Sequence, residues 1–194
     1  DQLSGIQPGS HLDAVRRHRL QAREQAQQSY LALFAPRVPV ISNWPLPERL
    51  AVAAFVAGLH QQPQLQRFYH DALVSQAPAA LVQAIDAEVA QGTTAGPYGR
   101  YPQGPLSAED QAGLVYAVGA EAVAVLGERL AAGLAHAHLL VFHPRDAQPA
   151  HLQALLDAGW GETDIVVLSQ LVSFLAFQIR VVAGLRLLQA HPAP

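Results

Sequence analysis

The stretch from Thr163 to Leu188, TDIVVLSQLVSFLAFQIRVVAGLRLL, is the longest apolar segment of the chain, and any fold must find cover for it. Placed at 100° per residue, it puts Ser169, Ser173, Ala176, Arg180 and Ala183 on one narrow small-and-polar stripe. Leu171, Phe174, Leu175, Val182 and Leu185 crowd the opposite side. It therefore reads as a central helix, buried on nearly every side. Gln178 falls within the apolar side, where an amide must find hydrogen-bond partners, so it is either a structural peg or part of a pocket wall. Arg180, beside two serines, either pairs with a carboxylate or holds an anion.

A bilayer is the other way to cover such a segment. Gln170, Gln178, Arg180 and Arg186 within it would be costly in lipid, so a core helix is the expectation and no membrane partner is read. Nucleic acid is not expected either, because a net charge of −3 with 12 thinly spread cations makes no basic stripe. At 194 residues the chain suits one domain with a substantial core. No secretory leader is legible, and the cytoplasm is the default expectation. The chain opens on Asp1 rather than methionine, which leaves room for a trimmed segment.

Cysteine, lysine and methionine are all absent, and this narrows the chemistry. Disulfides, Cys-ligated zinc, thiol nucleophiles and lysine Schiff bases are excluded for this chain.

Ser10 with Asp13 resembles a capping box opening an outer amphipathic helix that runs to Phe34. Pro36 and Pro39 end it, and an extended connector follows in which Trp44 is expected to dock on the body. Pro47 and Glu48 open the next helix, ERLAVAAFVAGLH. Its Ala51, Ala53, Ala54, Ala57 and Gly58 let a neighbour approach closely. His60 to Pro63 break the run before a second helix, QLQRFYHDALVSQ, so the two form a hairpin. Pro78 opens a third, which Gly92 ends.

The segment GTTAGPYGRYPQGPL then interrupts the pattern with four glycines and three prolines around Tyr98, Arg100 and Tyr101. It reads as a structural clasp over the core, with a ligand lid or subunit contact as alternatives. Ser107 with Asp110 suggests another helix start, continuing to Pro144 with one break near Gly119. A short helix follows from Pro149 to Gly159, and Gly161 caps the central helix. No segment alternates with period two, so the expected class is all-α. The expected organisation is a single domain: N-terminal helix and connector over 1–46, core hairpin and following helix over 47–92, Gly/Pro-rich loop over 93–106, and helical half over 107–194.

Nine histidines invite a metal hypothesis around His136, His138 and His143. His136 and His143 share a face but lie seven residues apart, too far along the axis to chelate one ion, while His138 points nearly opposite to His136. No protein-built metal site and no cofactor are expected, and packing or hydrogen-bonded histidines are the better reading. No GxSxG elbow and no phosphate-binding glycine loop occurs. The chemistry left is general acid-base work on an anionic small molecule, with His60, His70, Tyr69 and Arg180 as candidates on core helices.

The run HPRDAQPAHLQALLDAGWGETDIVVLSQLVSFLAFQIRVVAGL resembles the C-terminal half of peroxidase-related proteins of the carboxymuconolactone decarboxylase and alkylhydroperoxidase D-like superfamily. PERLAVAAFVAGLHQQPQLQRFYHDALV resembles that superfamily's core hairpin. SHLDAVRRHRLQAREQAQQSYLALF with GPYGRYPQGPLS is similar to an uncharacterised subfamily of carboxymuconolactone decarboxylase domain proteins. The resemblance covers most of the chain and implies a multi-helical fold with a core hairpin, a long buried C-terminal helix and a homo-oligomer. The redox relatives carry a glutamate, a Cys-x-x-Cys pair and a histidine. Those positions fall here on Leu50 (with Glu48 two residues away), Gln62, Leu65 and Tyr69 (with His70 adjacent), and no shift of register restores a thiol. The resemblance thus implies cofactor-free acid-base chemistry on a small carboxylate or lactone, or a non-catalytic ligand-binding or assembly role in an antioxidant system. The residue reading and the resemblance together single out His70, Tyr69, His60 and Glu48 for catalysis, and Arg180, Gln178, Tyr98, Arg100 and Tyr101 for ligand binding.

Overall fold

The computed structural model describes residues 1–36 and 43–191. These residues form eight α-helices: α1 His11–Arg17, α2 Leu20–Phe34, α3 Leu46–Leu59, α4 Pro63–Val74, α5 Ala79–Gly92, α6 Ala120–Phe142, α7 Pro149–Asp157 and α8 Glu162–Ala190. Among the described residues there is no strand, only an isolated bridge between Gly99 and Gln111. The protein is all-α.

The chain is organised around α3. Every residue from Arg49 to Leu59 is buried, and α2, α4, α5, α6 and α8 all pack on this one helix. Its alanines make this possible, because a slim helix admits neighbours on all sides. Gly58 marks the tightest approach: a Cβ there would stand 2.6 Å from a Val89 methyl on α5. The hairpin of α3 and α4 turns at Gln61, which takes a φ of 51°. Gln62 caps α4 by accepting from the Gln64 and Leu65 amides at 3.0 Å.

The expectation that Thr163–Leu188 is buried on nearly every side is corrected. Helix α8 buries one stripe, Ile165, Leu168, Leu171, Val172, Leu175, Ile179 and Val182, while Val166, Phe177, Leu187 and Leu188 are exposed. Its bulkier side chains space neighbours out, so it lies on the core rather than within it. By length and composition α6 and α8 could each cross a bilayer, and 44% and 39% of their apolar windows are buried against the protein.

Ser10 caps α1 by accepting from the Asp13 amide, as its spacing suggests, but the expected outer helix divides at His18–Arg19 into α1 and α2. Part of the expected connector lies outside the described residues. Its Trp44 is 1% exposed and meets Trp160 edge-on at 5.1 Å.

The largest difference concerns residues 107–119. No long helix starts at Ser107; a single 3-10 turn covers Pro105–Glu109, and the chain then runs without helix to Gly119, the N-cap of α6. Asp110 does not cap a helix, because its carboxylate accepts from the Tyr101 amide at 2.7 Å. Gly113 at φ 62° has the Tyr98 ring where a Cβ would stand. The irregular segment thus forms a strap over 93–119. Within α6 the break falls at Gly127, at φ 78° and ψ 157°.

Candidate functional site

Helix α7 folds back along the C-terminal part of α6. Trp160, just after α7, donates to the Arg129 carbonyl at 2.7 Å, and its ring abuts Gly133, where a Cβ would come within 2.5 Å. These contacts fix the far end of the pair, while the 3-10 turn Pro144–Asp146 joins the near end. Between them lies a cavity of about 440 Å³, within the size range of small-molecule sites. Ala132, Ala135, His136, Leu139 and His143 border it from α6, and His151, Ala154 and Leu155 from α7. Leu114, Val115 and Tyr116 of the strap make the third wall, with His138, Asp146 and Gln148 completing the border.

Four imidazoles in a mostly aliphatic wall are unusual, and their hydrogen bonds distinguish them. His143 places Nδ1 3.0 Å from Asp146 Oδ2 and Nε2 2.9 Å from the Leu114 carbonyl. Both partners are acceptors, so the ring joins the strap to the turn by donating to one of them when neutral and to both when protonated. Asp146 is held below the ordinary carboxylate range, first by the His143 bond and then by the Arg100 amide on its other oxygen at 3.1 Å. His138 donates from Nε2 to the Gly92 carbonyl at 2.9 Å and stacks on Tyr116 at 4.5 Å. Burial lowers its pKa, the Gly92 bond opposes that, and His143 adds to the lowering. Tyr116 in turn donates to the buried Glu88 at 2.5 Å. Its phenol is pushed up by burial and then by the Glu88 carboxylate. His151 accepts the Gln148 amide on Nδ1 at 3.2 Å, which leaves hydrogen on Nε2 in the neutral ring.

His136 differs from all three. It is 6% exposed, and its Nδ1 is buried without a hydrogen-bond partner. Burial, then the neighbouring His151, lowers its pKa, so at neutral pH it is an uncharged imidazole carrying one donor and one lone pair. A buried polar group left unsatisfied costs about 1–3 kcal/mol. Among the described residues no three His, Asp or Glu side chains are placed to hold one metal ion.

The residues singled out from sequence lie elsewhere. Tyr69, fully buried, donates to Gln178 Oε1 at 2.6 Å, so these two do meet, as a satisfied core pair. Burial, then Tyr30, pushes the Tyr69 phenol up. His60 at the end of α3 is half-buried with Nε2 unpartnered, and burial followed by the Arg180 charge lowers its pKa. Arg180 is exposed and donates to the Ala176 carbonyl at 2.8 Å rather than to the expected carboxylate. His70 lies at the surface, 3.3 Å from Asp86. Glu48 pairs with Arg129, whose guanidinium covers the Trp160 ring. Tyr98, Arg100 and Tyr101 serve the strap: the Tyr98 amide donates to the Phe142 carbonyl at 2.6 Å, and Tyr101 accepts from Arg145, which stacks on its ring at 4.0 Å. None of the nine borders the cavity, although Tyr98 and Arg100 reach its wall through His143 and Asp146.

Sequence reasoning passed over His136 and His143 as ligands and did not single out His151, Tyr116 or Glu88. The available signal was the shared face of His136 and His143, spaced by two helical turns. Comparison with known proteins returns no match to a family model, a curated sequence or a solved structure, so the functional reading rests on the cavity's own residues.

Proposed function

We propose that this protein binds a small, largely apolar molecule between α6 and α7 and moves a proton on it with His136, without a cofactor. One observation carries the reading: the uncharged imidazole of His136 borders a small-molecule cavity, its Nδ1 closed off within the protein. Such a ring can take a proton through its lone pair and return it. His151, with hydrogen on Nε2, is the neighbour that would stabilise oxygen charge developing on the molecule. The resemblance to the decarboxylase branch, whose chemistry needs no thiol, agrees with this, and the lack of cysteine leaves no thiol peroxidase route in the chain.

The test is a thermal-shift screen of small carboxylates, lactones, ketones and alcohols, followed by solvent-deuterium incorporation into each molecule that binds. We expect at least one class to raise the melting temperature and to exchange, with exchange lost in His136→Ala. No shift from any class, or equal exchange in His136→Ala, overturns the proposal. A second reading, an assembly partner or self-associating subunit, is favoured by the exposed Val166, Phe177, Leu187 and Leu188 on α8. Sedimentation of the wild type against Phe177→Glu tests it, and an unchanged monomer in both would end it.

A further inference from the structure

Opposite the stripe that it buries, helix α8 carries two large exposed apolar side chains, Val166 at 56% and Phe177 at 48%. They stand on a second stripe. Glu162, Val166, Ser169, Ser173, Ala176 and Arg180 follow one another at alternating steps of four and three residues, the spacing that keeps a seam on one side of a helix. Glu162, Ser173 and Arg180 are exposed, and Ser169 and Ala176 half-buried. Ser169 Oγ donates to the Ile165 carbonyl at 3.0 Å and Ser173 Oγ to the Ser169 carbonyl at 2.9 Å, so covering these hydroxyls strands no donor. Among the described residues neither Glu162 nor Arg180 forms an ion pair, and Arg180 only folds back on the Ala176 carbonyl.

The order of residues along this stripe selects its occupant. An antiparallel copy of the same helix, turned about a point level with Leu171, sets Glu162 against Arg180, Val166 against Ala176 and Ser169 against Ser173. All three matches arise in one register. Phe177, next to Ala176, then reaches Val166 of the second copy, so the two bulky exposed side chains cover each other. The serines at the centre let the two helices approach closely. Glu162 and Arg180 are about 27 Å apart along the axis, so an unlike pair closes each end. A parallel copy would set Glu162 on Glu162 and Arg180 on Arg180, which like charges oppose. A bilayer would have to take up Glu162, Gln170 and Arg180 from the same exposed side.

We propose, resting on the self-association reading above, that two copies of this chain pair antiparallel along this stripe of α8, with Glu162 of each copy on Arg180 of the other. The contact is two-fold symmetric and closes on itself, so it makes a dimer and no filament. Val166 and Phe177 supply its apolar burial at two equivalent places. The charge pairs at the ends fix register and direction, because only this alignment joins unlike charges at both.

Analytical ultracentrifugation of the intact protein reads the dimer, and the absence of native cysteine makes introduced thiols the only ones that can bridge it. We expect the wild type to sediment as a dimer and Glu162→Arg and Arg180→Glu each to weaken it by at least about tenfold. An equal mixture of these two variants should recover it, since each end again joins unlike charges. Ser169→Cys mixed with Ser173→Cys should oxidise to a disulfide-linked pair, because the two positions stand level across the seam. Each cysteine variant alone should stay largely unbridged, its own two copies being offset by about 6 Å along the axis. Bridging of each variant with itself, and not in the mixture, means a parallel pair and overturns the proposal. A dimer that ignores both charge reversals and forms no bridge leaves self-association standing on another face and overturns the proposal as well. A wild-type monomer ends both, and its co-sedimentation with phosphatidylcholine and phosphatidylglycerol vesicles would assign the face to lipid instead.

Discussion

The hairpin of α3 and α4 and the pair of α6 and α7 each leave one imidazole nitrogen buried without a partner, His60 Nε2 and His136 Nδ1, and they differ in what surrounds it. In the hairpin region, Tyr69 reaches across to Gln178 and both groups are satisfied. In the α6–α7 pair, His136 keeps Nδ1 buried without a partner while its ring borders the cavity. The contrast teaches that resemblance to a fold's usual site is a weaker guide than an unpaid hydrogen bond beside a void. The region that looked most like a known site holds the satisfied Tyr69–Gln178 pair. The region that looked like packing is open.

The contrast can be broken most sharply by truncating each region. Phe55, fully buried on α3, should cost about 3–5 kcal/mol as Phe55→Ala. Val115, which borders the cavity yet is 87% exposed, should cost less than about 0.5 kcal/mol as Val115→Ala. Chemical denaturation of both variants measures the difference, and comparable losses would mean that the strap is as much core as α3.

Smaller and of opposite sign are the effects expected from the two polar groups themselves. Tyr69→Phe leaves the Gln178 carbonyl oxygen without its donor and should destabilise by about 1–2 kcal/mol, with much of the loss recovered in the double variant Tyr69→Phe/Gln178→Leu. His136→Leu removes an unsatisfied imidazole and should raise stability by up to about 1 kcal/mol while abolishing proton exchange on a bound molecule. A destabilised His136→Leu would show that the ring is packing after all.

Least in size is a pH effect that separates the same two regions. The folded state holds His136 neutral below its ordinary value near 6.5, so the unfolded chain binds the extra proton first. Stability is therefore full above about pH 6.5 and is lost as pH falls below it, at no more than about 1.4 kcal/mol per unit for one group. His60 and His138 add to this loss in the same direction. His136→Leu should flatten the melting temperature against pH between about 6.5 and 5; Tyr69→Phe should leave that slope unchanged.

Much of the fold was legible because local chemistry decides it. Ser10 caps α1, proline opens α3 and α7, Gly159 follows the end of α7, and Gly161 caps α8. The failures are tertiary. Leu114 to Val118 reads as helix by composition, but Asp110 spends its carboxylate on the Tyr101 amide, and His143 takes the Leu114 carbonyl, so the backbone finds its partners outside a helix. The relative burial of α3 and α8 depended on how closely neighbours can approach an alanine-rich cylinder, which hydropathy does not measure. The site was hidden for a related reason. His136 and His143 can be placed on one face by counting, but nothing in their spacing says that α7 returns to bring His151 to the same cavity, or that of these rings His136 is left without a bond.

The strap gains a further meaning from the way it is hung. Gly92, the residue before it, is held by the His138 ring, and its Leu114 carbonyl by the His143 ring, so one wall of the cavity is suspended from imidazoles that also border the cavity. A substitution at either position changes the doorway together with the room, and its phenotype mixes access with chemistry. His151 carries the first turn of α7 in the same way. Of the four rings, His136 alone supports no backbone, which makes it the one position where a loss of activity can be read as a loss of chemistry.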